Sequence, residues 1–437
     1  MIGSLLEADS GRLPMGEFER DAVPPEPGGG GVLRFITAGS VDDGKSTLIG
    51  RLLHDTRQIL SDQLAAVYQA SRRRGFDTID LSLLTDGLEA EREQGITIDV
   101  AYRYFATARR KFIIADTPGH EQYTRNMVTG ASTADAAIIL ADAEKGLLPQ
   151  SKRHLYLSHL LGIRDIIVAV NKMDLVGYRR EVFEVVRRAF ADFARQLGVE
   201  AVRFVPISAL RGSMVVERGG DMAWYQGPTL LEMLESLEPV RTAAALPFRF
   251  SVQLVQRAAG GRSYLGRVVS GVVKAGDEVV VLPSGRRVAV AGVRNFGGEL
   301  EAAQAGDSVA LTLAQETDVT RGDLFAAASN PPRVVQALDA TLVWLAAEPL
   351  VKGGRYLLKS AARTVRAKVA AVRERIDVQT LRAEPATGRV VLNDIVRVTL
   401  SAQQPLAADA YRENRGTGAF ILIDETTNQT IAAGMIE

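Results

Sequence analysis

Short apolar segments alternate with amphipathic segments from Val32 to about Pro239. Apolar runs of strand length recur there as VLRFITAG, RKFIIADT, AAIILADA, DIIVAVNK and RFVPIS. The segment KSTLIGRLLHDT has its apolar residues at helical spacing. Continuous apolar strands that alternate with helices are typical of a mostly parallel sheet with helices on both faces. We therefore expect an α/β domain over residues 32–240.

A different pattern begins after residue 240. Short β-branched stretches such as FRFSVQLVQ, SYLGRVVSGVV and DSVALTL are separated by Gly, Asp and Pro, and LPSGRR predicts a hairpin turn. The same pattern returns after the NPP break at 330–332, in ALDATLVWL, TVRAKVAAV and GAFILID. Many short, closely spaced strands predict closed barrels. We expect two small all-β barrel domains, over residues 241–331 and 332–437.

Composition narrows the class of protein. A chain of 437 residues has room for two to four domains. With 46% hydrophobic and 24% charged residues, the chain is predicted to be soluble and globular. The absence of cysteine excludes disulfides, thiolate metal sites and cysteine nucleophiles, and it fits a reducing cytoplasm. The net charge of zero provides no overall basic field for nucleic acid, which we do not expect as a partner.

The N-terminal 31 residues are predicted to be a flexible tail. They end in Pro and Gly, contain few large apolar residues, and lack the basic and apolar regions of a signal peptide. No apolar run in the chain approaches the length of a membrane helix, about 18 residues. We expect a cytoplasmic protein that makes no membrane contact.

The segment GSVDDGKST, residues 39–47, matches the phosphate-loop pattern G-x-x-x-x-G-K-[ST]. It follows an apolar strand and precedes a helical pattern, as that motif requires. Its backbone N–H groups would surround phosphate oxygens at a helix N-terminus. Lys45 would contact the β- and γ-phosphates, and the Ser46 hydroxyl would bind Mg²⁺. The nucleotide-binding residues predicted here are Gly39, Ser40, Val41, Asp42, Asp43, Gly44, Lys45, Ser46 and Thr47.

Two further motifs follow strands later in the chain. In DTPGH, residues 116–120, Asp116 ends a strand and can hold Mg²⁺ through water, and Gly119 offers an N–H to the γ-phosphate. In NKMD, residues 171–174, the Asp174 carboxylate can accept hydrogen bonds from guanine N1–H and the 2-amino group. Adenine offers neither donor, so ATP should be rejected. The base-side residues predicted to contact the nucleotide are Asn171, Lys172, Asp174, Ser208, Ala209 and Leu210.

These base-side residues are expected to make different contacts with the nucleotide. The aliphatic stem of Lys172 can pack on the base. The segment SAL, 208–210, follows the last predicted strand of the domain and can place the Ala209 N–H on guanine O6. The motifs occur in this order along the chain, and each of them follows a predicted strand. Together they indicate a site for GTP.

These motifs, with REQGITID and DTPGHEQYTRNM, resemble the translation-factor superfamily of GTPases. Within it, the sequence is most similar to the GTPase (large) subunits of bacterial sulfate adenylyltransferase, the CysN type. The resemblance covers about residues 32–437. Asp43 supports this assignment, because elongation factors usually have His before the Gly-Lys pair. The resemblance also implies a GTPase domain followed by two barrels.

The resemblance implies roles by position. Thr97 resembles the switch threonine that binds Mg²⁺ in the GTP state, Gly119 the second switch glycine, and His120 the residue that positions the attacking water. Val41 and Ile96 resemble the apolar pair that gates this histidine. The implied catalytic residues are Lys45, Thr97, Gly119 and His120, and the implied metal ligands are Ser46, Thr97 and Asp116.

The resemblance further implies an activity that needs GTP, Mg²⁺ and a partner. In this family, GTP hydrolysis is coupled to the formation of adenosine 5′-phosphosulfate and pyrophosphate from ATP and sulfate. That chemistry takes place on a smaller ATP-sulfurylase subunit, the CysD type, so we expect a heteromer. The sequence contains one phosphate loop and no second nucleotide motif.

Two alternatives share the same motifs. One is a translation-type GTPase that binds aminoacyl-tRNA, since RNA contacts can be local in a chain of neutral net charge. The other is a stand-alone regulatory GTPase, which would not respond to ATP and sulfate. Asp43 and the REQGITID and DTPGHEQYTRNM segments favour sulfate activation over both.

Overall fold

The structure is a computed structural model, and it describes residues 31–59, 61–73, 79–84, 99–120, 123–199, 201–238, 242–258 and 261–437. All of the predicted N-terminal tail except Gly31 lies outside these residues, as do Ile96 and Thr97. The residues that the structure describes form an N-terminal α/β domain and two closed barrels, which confirms the predicted fold class.

Six strands build the sheet of the N-terminal domain, in the order β2-β3-β1-β4-β5-β6. Every pairing is parallel except that of β2, which runs antiparallel to β3 at the edge. The strands are β1 (Val32–Ala38), β2 (Ala101–Ala106), β3 (Lys111–Asp116), β4 (Ala136–Asp142), β5 (Asp165–Asn171) and β6 (Val202–Pro206).

Helices cover this sheet. They are α1 (Lys45–Asp55), α2 (Ser61–Arg73), α3 (Thr124–Ala131), α4 (Pro149–Leu160), α5 (Arg180–Gln196) and α6 (Leu230–Ser236), with a 3-10 turn at Leu81–Leu84. In α5, Phe183, Val186, Phe190 and Phe193 form one buried stripe at helical spacing. Within the described residues, no helix is long and apolar enough to cross a bilayer.

The central strands determine where the polar side chains of the site lie. Every residue of β4 is buried, because helices cover both faces of the sheet. The strands β3, β4 and β5 end in Asp116, Asp142 and Asn171, all of them buried. Since the carboxyl ends of parallel strands meet at one edge, these three residues come together beside the loop that leaves β1.

Barrel 1 (β7–β15) follows the N-terminal domain and the short helix α7 (Thr242–Ala245). Six strands close in the order β10-β15-β7-β8-β14-β11, with β11 pairing back to β10. The β10–β11 hairpin lies where LPSGRR predicted a turn. The strands are β7 (Arg249–Ala258), β8 (Gly261–Ser270), β9 (Val272–Lys274), β10 (Glu278–Leu282), β11 (Arg286–Asn295), β12 (Gly298–Glu299), β13 (Ala302–Gln304), β14 (Ser308–Leu313) and β15 (Leu324–Ala327).

Barrel 2 (β16–β22) completes the chain. It closes in the order β17-β21-β22-β16-β20-β18, with β18 pairing back to β17, and the short helix α8 (Arg415–Gly418) precedes β21. The strands are β16 (Arg333–Trp344), β17 (Arg355–Ser360), β18 (Arg363–Ile376), β19 (Ala383–Pro385), β20 (Ile395–Ala408), β21 (Ala419–Ile423) and β22 (Thr430–Ile436).

Polar contacts join the three parts. The buried Arg249 guanidinium of barrel 1 binds both carboxylate oxygens of Asp409, which follows β20 of barrel 2, at 2.9 and 2.8 Å. Between barrel 2 and the N-terminal domain, the Tyr411 hydroxyl donates to the Leu161 carbonyl at 2.9 Å. Arg125 of α3 donates to the Leu345 carbonyl, just beyond β16, at 2.8 Å.

Candidate nucleotide site

The phosphate loop, residues 39–44, leaves β1 and enters α1 through two glycines at which an added Cβ would crowd neighbouring residues. A Cβ on Gly39 would lie 3.1 Å from the Leu140 Cβ of β4. Gly44 has a φ of +91° and precedes α1 directly, and a Cβ there would lie 2.5 Å from Asn171 Nδ2. The loop therefore packs against β4 and the end of β5 with its backbone alone.

Lys45 folds back over this loop. Its ammonium donates to the Gly39 carbonyl at 2.9 Å and to the Ser40 carbonyl at 3.0 Å. An ammonium has three donors, so one is left for a phosphate oxygen. Burial lowers the Lys45 pKa, and the nearby Asp116 and Asp43 carboxylates oppose that effect.

Asp43 shapes the loop from within. Its side chain is fully buried, and Oδ2 accepts the Ser40 N–H at 2.6 Å, which closes the turn. Burial raises the pKa of this carboxyl group. Among the described residues, its Oδ1 has no hydrogen-bond partner, and neither does the buried Ser40 hydroxyl.

The DTPG segment is attached to the phosphate loop and to β1. Thr37 donates to Asp116 Oδ1 at 3.3 Å, and the Thr117 hydroxyl donates to the Thr37 carbonyl at 2.7 Å. A Cβ on Gly119 would lie 2.3 Å from Lys45 Nζ and 2.5 Å from the Gly39 carbonyl oxygen. Only glycine allows this approach, which brings the Gly119 backbone to the predicted position of the phosphates.

His120 follows at an exposed position. Its ring lies 6.1 Å from the Tyr123 ring, edge to face, and its carbonyl accepts the Tyr123 N–H at 3.0 Å. Val41 is 37% exposed. Because Thr97 and Ile96 lie outside the described residues, the catalytic arrangement of switch threonine, histidine and apolar gate stays a prediction.

The donor set at the phosphate end fits Mg²⁺. Asp116 contributes a buried carboxylate, and Ser46, at the first turn of α1, contributes a half-buried hydroxyl. Both are hard oxygen ligands, and Mg²⁺ usually takes only one or two protein ligands, with phosphate and water completing its shell.

Asn171 joins the two ends of the site. Its Nδ2 donates to the Asp43 carbonyl at 2.8 Å, and its Oδ1 accepts the Ala209 N–H at 2.9 Å. The Ala209 N–H, which the sequence assigned to guanine O6, is thus bonded to Asn171. The side chain of this one residue sets the distance between the phosphate loop and loop 208–213.

The other residues at the base-side end are paired as well. The Ser208 hydroxyl donates to Asp174 Oδ1 at 2.7 Å. Lys172 donates to Asp142 Oδ2 at 2.8 Å, which holds its stem beside the strand ends. Burial alone would raise the Asp142 pKa, but the Lys172 hydrogen bond and neighbouring charges outweigh it, and the pKa is lowered.

Three residues make contacts that the sequence did not predict. Asp142 was not predicted, although it ends a buried strand as Asp116 and Asn171 do. Arg51 was also missed; it donates to the Ala209 carbonyl at 3.1 Å. Leu210, which was predicted to bind nucleotide, has a side chain that is 53% exposed and a carbonyl that accepts a hydrogen bond from Arg51.

Comparisons with known families match all three parts of the chain. The family model "Elongation factor Tu GTP binding domain" matches residues 31–240. "Elongation factor Tu domain 2" matches residues 261–326, and "GTP-eEF1A C-terminal domain-like" matches residues 337–437. Among solved structures, the chain is similar to sup35 complexed with GDP, with a TM-score of 0.43 and 22% identity over 98% of this chain and 97% of that chain.

Curated relatives are more similar. "Sulfate adenylyltransferase subunit 1" of Cronobacter sakazakii is 53% identical over 413 residues, which is 93% of this chain and 86% of that protein. "Bifunctional enzyme CysN/CysC" of Mycobacterium tuberculosis is 51% identical over 411 residues, 93% of this chain and 67% of that protein. The chain, with its elongation-factor-Tu-type GTP-binding domain, therefore belongs to the family of sulfate adenylyltransferase subunit 1 (CysN).

Proposed function

We propose that this GTPase subunit drives adenosine 5′-phosphosulfate formation on a smaller catalytic subunit of the CysD type. ATP and sulfate react to give adenosine 5′-phosphosulfate and pyrophosphate with a very unfavourable equilibrium. Coupling to GTP hydrolysis would shift that equilibrium by the free energy of hydrolysis. The name "subunit 1" of the curated relatives supports a multi-subunit enzyme.

The observation that carries the proposed GTP site is the Asn171 side chain, which joins the phosphate loop to loop 208–213. Lys45 would bind the β- and γ-phosphates with its remaining donor. Asp174, oriented by Ser208, would accept the guanine N1–H and 2-amino groups. The proposed nucleotide contacts are residues 39–47, Asp116, Asn171, Lys172, Asp174, Ser208, Ala209 and Leu210.

Hydrolysis would use the residues around Gly119. The Gly119 N–H would donate a hydrogen bond to a γ-phosphate oxygen beside Lys45, and His120 would orient the attacking water. Ser46 and Asp116, with Thr97, would hold Mg²⁺, which neutralises phosphate charge when bound. Ordering of the Thr97 and Gly119 segments with GTP, and their release after hydrolysis, would be the switch.

The switch would reach the barrels through α3. This helix begins at Thr124, shortly after His120, so a displaced Gly119 segment would move its first turn. Arg125 in that turn donates to the Leu345 carbonyl of barrel 2. We propose that this contact transmits the nucleotide state to the barrels and from them to the partner subunit.

The test of the site uses three variants. Lys45→Ala and Asp174→Ala should each reduce GTP affinity by at least about 100-fold, since each removes a charged contact in a buried site. His120→Ala should keep GTP affinity within about twofold and slow hydrolysis by about 10²–10⁴-fold. Binding is measured by calorimetry with GTP, and turnover by phosphate release.

The outcomes separate the assignments. Wild-type GTP affinity in Lys45→Ala or Asp174→Ala would remove the proposed site. Unchanged turnover in His120→Ala would remove only its catalytic role. Purification from native cells distinguishes the partners: a smaller subunit that co-purifies supports the heteromer, whereas retained aminoacyl-tRNA supports the translation-type alternative.

A further inference from the structure

Arg51 lies on α1, the helix that begins at Lys45, and its guanidinium contacts the loop that follows β6. Nε donates to the Ala209 carbonyl at 3.1 Å, and Nη2 donates to the Leu210 carbonyl at 2.5 Å. The partners are 158 and 159 residues away in sequence. The helix that starts at the phosphates thus also holds the loop at the base.

The guanidinium is itself fixed. Its Nη1 lies 3.4 Å from Asp55 Oδ1, one turn further along α1, and the side chain is only 18% exposed. Loop 208–213 turns beside Arg51 at Gly212, whose φ of +81° lies in the left-handed region that favours glycine. The contact is therefore part of the folded loop rather than a surface encounter.

The opposite side of the loop faces the base-binding residues. The Ala209 N–H donates to Asn171 Oδ1 at 2.9 Å, and the Ser208 hydroxyl donates to Asp174 Oδ1 at 2.7 Å. The loop is thus held between Arg51 on its outer side and two nucleotide-binding side chains on its inner side. A shift of the loop would reorient the Asp174 carboxylate through Ser208.

We propose that Arg51 is a positioning residue for guanine selectivity, acting through loop 208–213 on Asp174 without touching the nucleotide. The inference rests on the GTP site proposed above. Hydrogen bonds from a charged planar donor to two adjacent carbonyls are strong and directional, so they fix both the position and the orientation of the loop. Without them, the Ser208 hydroxyl would no longer fix the Asp174 carboxylate toward guanine N1–H and the 2-amino group.

The test compares GTP with ITP, whose base differs from guanine only by lacking the 2-amino group. Arg51→Ala should weaken GTP binding by about tenfold and ITP binding by about two- to threefold, because ITP already lacks one contact with Asp174. The GTP-to-ITP affinity ratio should therefore fall. The hydrolysis rate at saturating GTP should stay at the wild-type value, since Arg51 acts on the base and not on the phosphates.

A general loss of folded protein would leave the affinity ratio unchanged, so the ratio separates positioning from a purely structural role. Asp55→Asn is the matched control: it weakens the ion pair but leaves both loop contacts, and it should keep the wild-type ratio. Arg51→Lys keeps the positive charge but lacks the planar guanidinium that holds two carbonyls in a fixed geometry, and it should give an intermediate ratio. If Arg51→Ala does not fold, Arg51→Lys provides the test.

A wild-type ratio in both folded Arg51 variants overturns the inference. That result differs from failure of the proposed GTP site, in which the wild-type protein itself would bind neither GTP nor ITP. If Arg51→Ala weakens the binding of GTP and of ITP equally, the ratio also stays at the wild-type value. That result would show that the loop does not influence Asp174.

Discussion

His154 is held neutral inside the N-terminal domain. It lies on α4 with 1% of its surface exposed, and Gln150 Nε2 lies 3.1 Å from its Nε2. An amide N–H can only donate, so the ring accepts at Nε2 and carries its proton on Nδ1, which has no partner among the described residues. Burial, with the Lys45 and Arg153 charges, lowers its pKa to about 3.

This residue should make stability depend on pH. The folded pKa is depressed below the usual 6.5, so between these values the unfolded chain binds more protons and stability falls as pH falls. From pH 7 to pH 5 the His154 contribution should lower the free energy of unfolding by about 2 kcal/mol. Urea unfolding of wild type and His154→Gln at both pH values measures it, since the variant lacks the titrating ring.

His159→Gln, on the same helix, is the matched control. Partial desolvation by neighbouring groups lowers the His159 pKa as well, but much of this residue is exposed to solvent, so its contribution should be smaller. Equal pH dependence in wild type and His154→Gln would contradict the account.

Residues of the site were predictable where they belong to a contiguous pattern. Asp116, Asn171 and Asp174 each follow an apolar strand, and the structure places them at one sheet edge. Asp142 also ends a buried strand, but its pairing with Lys172 was not predicted, and neither was the contact of Arg51 with the Ala209 carbonyl, because the partners are 30 and 158 residues away. Long-range pairing of a charged side chain with another side chain or with a carbonyl leaves no periodic signal in a single sequence.

At the scale of elements, the turn from β1 to α1 depends on the backbone of Gly44. An alanine there would occupy a left-handed conformation that costs about 1–2 kcal/mol, and its Cβ would lie 2.5 Å from Asn171 Nδ2. We expect Gly44→Ala to push Asn171 away from the Asp43 carbonyl and to weaken GTP binding by more than about tenfold, measured by calorimetry.

Gly146→Ala is the control that distinguishes backbone strain from crowding of a neighbouring side chain. Gly146 has a φ of +69°, but nothing lies within 4 Å of its added Cβ. This variant should lose stability of about 1–2 kcal/mol and keep its GTP affinity. Similar affinity losses in both variants would show that crowding of Asn171 is not the cause.

Strands were predicted correctly where the apolar pattern of the sequence is continuous. The strands β1, β3, β4 and β5 lie where apolar runs predicted them. The edge strand β2 was missed, because Arg103 interrupts its apolar run and Tyr102 and Tyr104 lie exposed. Strands as short as β12 and β13 were missed too, since two or three residues carry no period.

At the scale of the whole molecule, a buried ion pair fixes barrel 1 to barrel 2. Arg249 is 2% exposed, and beyond its two contacts with Asp409 it donates to the Asn330 carbonyl at 2.8 Å. The Thr417 hydroxyl also donates to Asp409 Oδ2, at 2.5 Å. With these contacts the two barrels should move as one unit when the nucleotide state changes.

Breaking this pair should be costly. Arg249→Ala leaves the buried Asp409 carboxylate without its cation and should lower the free energy of unfolding of the barrels by about 3–5 kcal/mol. Arg287→Ala is the control, because it breaks an exposed pair with Glu278 and should cost about 0–1 kcal/mol. Urea unfolding in a Trp224→Phe background, followed by the fluorescence of Trp344 in the barrel 2 core, gives both values. Equal losses for the two variants would show that the buried ion pair does not hold the barrels together.

The central claim is that GTP hydrolysis on this chain drives sulfate activation on a partner. The most direct measurement co-expresses the chain with the smaller subunit and follows phosphate release from GTP and adenosine 5′-phosphosulfate in one reaction. The account predicts that both rise together only when GTP, ATP and sulfate are all present, and that Lys45→Ala abolishes both. The account would be contradicted if GTP is hydrolysed at the same rate with and without ATP and sulfate and no adenosine 5′-phosphosulfate is formed.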